Sequence, residues 1–358
     1  MAKEFDILQK VLLGETSEAS IKRTRDILKK QGINPEVTIE FISREEGVFC
    51  GIGEVAQLLT RNLPEAFRDD VWALNDGDVF QKNEVLLRIS STYAIISQFI
   101  TAINGFISSS SGWATAAKKC VDAADGIPVV NFGASQIHPN VVGIMDYSSI
   151  QGGAKGCSSL VGADLSDLTA AGSMDESLVL LSGDVVEAAE ALVSNLESEL
   201  PKVVSIGIIG DETEEAKKIV ENFPSIRGLK IETPPERGDS GYIIKEVRER
   251  LDQLGFSNTQ LSISGDFNPK SISQIIDIEK EWQNETSRIP NSEEGDNQMP
   301  PNLNRRIVQV IGIDRYIACH KPISISPHLK IIDGNPVAKR GQIPGLISSQ
   351  RLLKVDFE

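Results

Sequence analysis

The sequence predicts an α/β protein in which a mixed α+β N-terminal part is followed by a parallel α/β barrel. After Gly126, short apolar runs alternate with helical segments. Repeated strand–helix units predict a parallel sheet, and their number favours closure into a barrel. Residues 326–341 leave this alternation and predict a hairpin around Asp333-Gly334. We expect residues of about 325–341 to pair with the N-terminal part.

Before Gly126 the periodicity switches repeatedly between helix and strand. Apolar residues at helical spacing predict helices, whereas alternation predicts strands. In chain order these patterns predict a helix over 17–32, a strand over 35–43, a helix over 51–63, strands over 71–80 and 84–90, and a helical region over 96–124.

The second part repeats strand and helix more regularly. Apolar runs predict strands over 127–132, 162–168, 203–209, 228–232, 260–265 and 308–313, with helices over 185–199, 214–222 and 241–254 among them. In α/β barrels the active site lies at the carboxyl ends of the strands, so the residues that follow each strand are the first candidates.

Charge and cysteine usage restrict the function classes. The net charge of −15 and the pI of about 4.8 oppose binding to nucleic acid or to anionic membranes. The four cysteines form no CxxC pair, so we expect no metal site and a reducing compartment. The first ten residues lack an apolar core typical of a signal peptide, and we therefore expect a cytoplasmic protein.

One segment between predicted strands is polar, acidic and rich in Pro and Asn. It lies within residues 279–306, and its centre covers about 284–304. Such a composition buries too little apolar surface to offset the entropy of ordering. The sequence therefore predicts a mobile insertion in the barrel part.

Five segments in order resemble the nicotinate phosphoribosyltransferase family. They are LNDGDVF (74–80), SGWATAA (111–117), GIPVVNFGASQIHP (126–139), QGGAKGCS (151–158) and GNPVAKRG (334–341). The resemblance extends from about residue 20 to residue 341. It implies a type II phosphoribosyltransferase fold, with an irregular parallel α/β barrel and an α+β sandwich built from the N-terminal part and the C-terminal strands.

The resemblance also implies boundaries and partners. The sandwich domain would cover residues 1–118 and be completed by 325–358, and the barrel domain would cover 119–324. A homodimer or higher oligomer with sites built across subunits is implied, and a hetero-oligomer stays open. The family transfers phosphoribose from phosphoribosyl pyrophosphate to nicotinate, so Mg²⁺ is expected if the chain is active, and no other cofactor.

The positions that match the family's substrate-binding residues differ from its pattern. The Arg-Arg pair falls on Ser135 and Gln136, leaving His138 of that block. A family His is replaced by Glu176, next to Asp175. The D-T-P, SGG and G-V-G-T motifs read 232–234, 264–266 and 312–315, so that Asp266 and Asp314 occupy two glycine turns.

Negative charge in a phosphate-binding turn opposes phosphate binding. Arg315 would compensate one turn, and Lys155 would reach the pocket. The candidate catalytic residues are His138, Asp175 and Glu176. The candidate pocket residues are Ser135, Gln136, Lys155, Glu232, Ser264, Gly265, Asp266, Gly312, Asp314 and Arg315.

Structural interpretations stand beside these assignments. His138 fits a turn before Pro139, and acidic residues at 175–176 fit a helix start. The acidic residues of 211–215 fit a solvated first turn of a helix. The losses favour a non-catalytic family member that acts as a binding subunit or scaffold. The alternatives are an active nicotinate phosphoribosyltransferase with an altered site and a phosphoribosyltransferase with another acceptor.

Overall fold

Two six-stranded sheets, one antiparallel and one parallel, organise the chain. The computed structural model describes residues 4–172, 174–232, 234–287 and 306–357. The predicted insertion of about 284–304 lies outside the described residues from residue 288 onward.

The N-terminal part alternates helices and strands as its sequence pattern predicts. The elements are α1 (Gln9–Leu12), α2 (Ala19–Lys30), β1 (Glu36–Ser43), β2 (Gly47–Val48), α3 (Ile52–Asn62), α4 (Glu65–Arg68), β3 (Val71–Ala73), β4 (Val79–Phe80), β5 (Val85–Thr92), α5 (Tyr93–Ile96) and α6 (Ile100–Ala123).

The second part contains the parallel strands and most of the helices. Its elements are β6 (Val129–Asn131), α7 (Val142–Gln151), β7 (Gly156–Cys157), α8 (Leu160–Leu165), α9 (Glu176–Ser182), α10 (Val185–Asn195), β8 (Val203–Ile206), α11 (Glu212–Asn222), β9 (Gly228–Ile231), α12 (Ser240–Gln253), β10 (Gln260–Gly265), α13 (Pro269–Ser287) and β11 (Val310–Ile313).

The C-terminal strands complete the antiparallel sheet. They are β12 (Ile325–Ile332), β13 (Asn335–Pro336) and β14 (Leu353–Lys354), and the strand order is β13-β12-β1-β5-β3-β14. β12 pairs along the whole of β1, from Ser43 opposite Ile325 to Val37 opposite Ile332. The predicted hairpin and its pairing with the N-terminal part are confirmed.

The parallel strands have the order β7-β6-β11-β10-β9-β8. Between β7 and β8 lie residues 169–172 and 174–175, which form no regular strand. The Ala171 N–H donates to the Cys157 carbonyl at 2.8 Å, and the Met174 carbonyl accepts from Ser205 Oγ at 3.2 Å. The predicted barrel is confirmed, and it is irregular between β7 and β8.

The predicted strand over 162–168 is wrong, because residues 160–165 form the helix α8. Ser159 caps this helix by accepting a hydrogen bond from the Gly162 N–H at 3.0 Å. A Cβ at Gly162 would lie 2.3 Å from Cβ of Asp146, so the helix packs closely on α7. The Ser159 cap and the packing of Gly162 on α7 therefore favour a helix here, although the apolar residues appear to alternate as in a strand.

Helix α6 belongs to two hydrophobic cores. Its first half places Ile103 and Ile107 in the core under the antiparallel sheet. Its second half places Ala116 and Cys120 in the core between the barrel strands and their helices. The predicted boundary between residues 118 and 119 lies inside this helix and stays a prediction.

A buried polar junction joins the two parts near the start of α3. Asp76 accepts from the backbone N–H groups of Gly51 and Ile52 at 2.8 and 3.1 Å, and from the Tyr147 hydroxyl of α7 at 3.0 Å. Glu54 is buried beside it. Burial, and less strongly the Asp76 carboxylate, raise the pKa of Glu54 to about 8.

Candidate active site

Polar residues follow neighbouring strands at the carboxyl end of the barrel, which we call the barrel mouth. Glu232 follows β9, Ser264 and Gly265 end β10, and Asp314 follows β11. Ser264 Oγ donates to Glu232 Oε1 at 3.3 Å, and the Asp314 N–H donates to the Gly265 carbonyl at 3.0 Å. The structure therefore brings these predicted pocket residues together.

Lys230 is the central cation of the barrel mouth, and it is absent from the predicted set. Its neighbours Leu229 and Ile231 are in the core on the helix side of β9, so alternation turns Lys230 toward the barrel interior. Its ammonium lies 2.5 Å from Glu232 Oε1, and both side chains are about four-fifths buried. The only sequence signal for it is a lysine inside an apolar strand.

An aromatic ring lies beside this cation. Lys230 Nζ is 4.8 Å from the centroid of the Phe132 ring, which follows β6. A Cβ at Gly312 would lie 2.7 Å from the Phe132 ring and 2.8 Å from Cβ of Ser264. Gly312 is therefore required so that the ring fits against β10 and β11.

Asp314 is a carboxyl of the barrel mouth whose pKa is raised. Burial raises its pKa, Lys230 lowers it, and the carboxylates of Glu232 and Asp266 raise it. The three carboxylates and one ammonium thus interact as a group. The direction of the shift means that burial and like charges outweigh the single cation.

The second cation at the mouth is Arg315, whose guanidinium lies 3.7 Å from the Asp266 carboxylate. Both side chains are more than half exposed, so this pair contributes little to stability. Arg315 compensates the Asp266 turn, in agreement with the interpretation that it compensates one of the two turns. The other turn carries Asp314, and there the cation that lowers the carboxyl pKa is Lys230.

Asp175 and Glu176 are at the start of α9. Asp175 caps this helix by accepting from the Ser177 N–H at 3.0 Å. Hydrogen bonds from Ser177 lower the pKa of Asp175, and Lys230 lowers it slightly. Asp175 is therefore within electrostatic reach of the barrel mouth and also has the structural role of a cap, whereas Glu176 is exposed.

Ser135, Gln136 and His138, which lie beyond Phe132 in the segment after β6, are exposed. Ser135 and Gln136 form a 3₁₀ turn, and Gln136 Nε2 donates to Ser135 Oγ at 3.2 Å. His138 accepts from the Asn140 N–H at 3.2 Å and caps the next turn. Lys155 is exposed and comes directly before β7. Its backbone N–H donates to the carbonyl of Val129, the first residue of β6, so it lies at the end of the strands opposite the mouth. The structure therefore does not bring its side chain to the polar residues of the mouth.

Buried polar contacts support the loop that carries Phe132. Asn131 Nδ2 donates to Asp146 at 2.7 Å, and its Oδ1 accepts from the Gly133 N–H at 3.2 Å. Asp146 also accepts from Ser159, and burial raises its pKa. These contacts connect the ends of β6 and β7 to α7, and they hold in place the backbone that carries the Phe132 ring.

Two acidic residues of α11 correct the prediction of a solvated first turn. Glu212 and Glu215 are each 4% exposed. Glu215 accepts from the backbone N–H groups of Gly207 and Gly210 at 2.7 and 2.8 Å. Glu212 pairs with Arg237 at 2.8 Å. The loop after β8 therefore binds a carboxylate of its own helix with backbone donors.

Carboxylates outnumber cations at the barrel mouth. Four carboxylates, those of Asp175, Glu232, Asp266 and Asp314, accompany the two cations Lys230 and Arg315.

In the part of the chain that the structure describes, no group of three His, Cys, Asp or Glu side chains is placed to hold a metal ion. No helix in that part is long and apolar enough to cross a membrane.

A parallel α/β barrel beside an antiparallel α/β sandwich, with polar groups at the barrel mouth, defines a class of ligand-binding barrel proteins. Residues 18–111 match the family model of the quinolinate phosphoribosyl transferase N-terminal domain. The structure is similar to nicotinate-nucleotide pyrophosphorylase from Pyrococcus furiosus, with a TM-score of 0.81 and 28% identity over 96% of this chain and 82% of that chain.

Two further similarities agree. Human nicotinic acid phosphoribosyltransferase aligns with a TM-score of 0.63 and 13% identity over 92% of this chain and 77% of that one, which concerns the fold alone. Nicotinate phosphoribosyltransferase pncB2 of Mycobacterium tuberculosis is 26% identical over 63% of this chain. This chain spans about half (49%) of that curated relative. These findings support the type II phosphoribosyltransferase family and, within it, the nicotinate and nicotinate-nucleotide phosphoribosyltransferase group.

Proposed function

We propose that this chain is a non-catalytic member of its family that acts as a binding subunit. The observation that carries the proposal is the charge of the barrel mouth. Each of its two cations is engaged by a carboxylate, Lys230 by Glu232 and Arg315 by Asp266. No free cationic pair is thus left among these residues for a pyrophosphate.

The family reaction joins two anions, phosphoribosyl pyrophosphate and a pyridine carboxylate. Transition-state stabilisation of such a reaction needs fixed positive charge where negative charge develops. Like charges about 4 Å apart cost about 4 kcal/mol at an effective dielectric constant of about 20. Asp266 and Asp314 occupy the two turns where backbone donors would approach phosphate, so their charges oppose the binding of this substrate.

Groups suited to contact a planar ring are nevertheless present at the barrel mouth. The Lys230 ammonium lies over the Phe132 ring, 4.8 Å from its centroid, and the Ser264 hydroxyl donates to the Glu232 carboxylate that pairs with Lys230. This arrangement favours a planar ring with no more than one negative charge. We propose that the mouth binds such a ring and excludes the polyphosphate.

The alternative is an active nicotinate phosphoribosyltransferase with an altered site, and Lys230 is the observation that favours it. A partly buried ammonium beside an aromatic ring fits a pyridine carboxylate. In this alternative, Arg315 or a neighbouring subunit would bind the phosphate groups of the substrate. A phosphoribosyltransferase with another ring acceptor fits the same two residues.

The experiment combines turnover with ligand-dependent stability. We expect no conversion of nicotinate to its mononucleotide by the purified chain. We also expect no thermal shift with phosphoribosyl pyrophosphate. A bound ring compound at about a hundred times its dissociation constant adds about 2.7 kcal/mol of stability. Nicotinate and nicotinamide are the probes, and Phe132→Ala should abolish any shift.

Matched variants separate the proposals. Ser135→Arg with Gln136→Arg should not restore turnover, because Asp266 and Asp314 would still repel phosphate. Lys22→Met removes an exposed cation outside the mouth and should leave ligand responses unchanged. Turnover of roughly 1 per second by the wild-type chain would overturn the non-catalytic proposal and support the active enzyme.

A further inference from the structure

A cavity of about 550 Å³ lies where the N-terminal part meets a helix of the barrel part, and we call it the junction cavity. Its lining includes Phe5 of the N-terminal segment, Ile52 and Ala56 of α3, Tyr147 of α7 and Phe357 of the C-terminal end. Cavities that hold small organic ligands have volumes of about 300–1,000 Å³. The junction cavity therefore has room for such a molecule, and none of the described residues that line it belongs to the barrel mouth.

The N-terminal segment supplies a fixed aromatic part of this lining. The Phe5 ring packs edge to face on the Tyr147 ring, with 5.5 Å between the ring centroids and 85° between the ring planes. The Gln57 side chain accepts from the Phe5 N–H at 2.7 Å and donates to the Phe5 carbonyl at 2.7 Å. A Cβ at Gly53 would lie 2.4 Å from the Phe5 ring, so the ring packs directly on the backbone of α3. A preformed lining of this kind favours a ligand with an apolar or aromatic body.

Negative charge dominates the polar part of the lining. Among the described residues, three carboxylates, those of Glu4, Asp76 and Asp356, and one cation, Arg61, line the cavity. The Arg61 guanidinium is 3.9 Å from the Glu4 carboxylate, and both side chains are at least half exposed. This pair at the rim is neutral as a whole, so Asp76 and Asp356 leave the lining with an excess of negative charge. The charged groups therefore favour a cation.

The start of α3 gives no purchase to an anion, because Asp76 already occupies it. The Asp76 carboxylate accepts from the Gly51 and Ile52 N–H groups at 2.8 and 3.1 Å. Glu54 lies in the first turn of the same helix and is buried. Burial, and less strongly the Asp76 carboxylate, raise the pKa of Glu54 to about 8. A further negative charge is thus disfavoured here, whereas a cation is attracted by Asp76 and is not opposed by the mostly protonated Glu54.

We propose that the junction cavity binds a primary organic amine, whose ammonium pairs with the Asp76 carboxylate and whose apolar body contacts the aromatic lining. Aromatic rings near an ammonium add cation–π attraction to the ion pair. A bare metal ion fits less well, because no group of three His, Cys, Asp or Glu side chains in the described ranges is placed to hold one. The amine would contact both α3 and α7, so it would connect the two parts of the chain. The proposal is independent of the proposed function.

Three indole compounds of different charge provide the test. Tryptamine carries an ammonium, tryptophol a hydroxyl and indole-3-propionate a carboxylate on the same ring. Isothermal titration calorimetry at about pH 7 should show that tryptamine binds at least about tenfold more tightly than tryptophol, because only the ammonium pairs with Asp76. Indole-3-propionate should not bind, because its carboxylate meets the excess negative charge of the lining.

Three variants locate the binding. Asp76→Asn keeps a side-chain oxygen for the two N–H groups of α3, and it should weaken tryptamine binding about tenfold while tryptophol binding is unchanged. Ala56→Leu fills part of the cavity with a residue that favours helix, and it should abolish binding of both compounds. Asp26→Asn removes a carboxylate on the exposed surface of α2 and should leave tryptamine binding unchanged. Circular dichroism checks that each variant is folded.

Tryptamine binding that is selective over tryptophol and is lost in Ala56→Leu supports the proposal. Equal affinity for the three compounds, or no binding of tryptamine at about 1 mM, overturns it. Binding that survives Ala56→Leu also overturns it, as does an equal loss in Asp76→Asn and Asp26→Asn, which would report net charge alone. If Asp76→Asn does not fold, Asp356→Asn at the exposed rim replaces it and should weaken tryptamine binding about threefold.

Discussion

Replacement of Lys230 by Met tests whether the barrel mouth is under electrostatic stress. Unit charges about 4 Å apart attract by about 4 kcal/mol at an effective dielectric constant of about 20. Lys230 and Glu232 are closer, at 2.5 Å, but each is about one-fifth exposed, and removal also recovers the cost of dehydrating the ammonium. We therefore expect Lys230→Met to lower the free energy of unfolding by about 2 kcal/mol at about pH 8.

The loss should shrink as pH falls. The Asp314 carboxyl becomes protonated at a higher pH than is usual because its pKa is raised, so one of the carboxylates near Lys230 loses its charge. Urea unfolding followed by circular dichroism at about pH 8 and about pH 5 measures the difference. Lys22→Met, which breaks the largely exposed pair with Asp26, should change stability by less than about 0.5 kcal/mol at either pH. A Lys230→Met chain as stable as wild type at about pH 8, or an equal loss at both pH values, would refute the reasoning.

Three further predictions use the same unfolding measurement. Gly312→Ala places a methyl 2.7 Å from a ring carbon and should cost about 1–3 kcal/mol, whereas Gly265→Ala, whose Cβ would have an ordinary contact at 3.4 Å, should cost less than about 1 kcal/mol. The pKa of Glu54 is raised to about 8 in the folded state, so its contribution is complete below about pH 4.5 and is lost as pH rises toward 8. Glu54→Gln should remove about 1 kcal/mol per pH unit of that decline, and an unchanged slope would contradict the assignment. Glu215→Ala leaves two loop N–H groups without their carboxylate and should cost about 2 kcal/mol, while Glu214→Ala at an exposed position should cost little.

The sequence predicts the architecture well where periodicity and turn chemistry agree. The strand β10 coincides with its predicted range 260–265, and the hairpin forms at Asp333-Gly334. The prediction of a strand over 162–168 failed because the Ser159 cap and the contact of Gly162 with α7 are tertiary facts. Alternation over seven residues does not exclude a short capped helix.

The candidate site was only partly foreseen from the sequence. The family resemblance named Glu232, Ser264 and Asp314, and the structure places them together at the carboxyl ends of neighbouring strands. Lys230 was missed because a lysine between Leu229 and Ile231 resembles a strand residue that points to solvent. The face of β9 that carries Lys230 becomes the barrel interior only when the sheet curves into a barrel.

Burial of acidic residues was also beyond the sequence. Glu212 and Glu215 fit an exposed first turn by composition, yet a neighbouring arginine and two glycine N–H groups satisfy them in the folded chain. Their partners lie in loops whose paths depend on the barrel. A residue type at a helix start therefore predicts a preference for that position, but not whether water surrounds it.

The pairing of β12 with β1 has a consequence for the order of events during synthesis. The first long strand of the sandwich ends at Ser43, and its edge partner begins at Ile325. During synthesis on the ribosome, the N-terminal sheet therefore cannot be completed until almost the entire barrel has emerged. The barrel, although second in the chain, is the part that completes its sheet first, and a nascent chain stalled before Ile325 exposes one edge of β1.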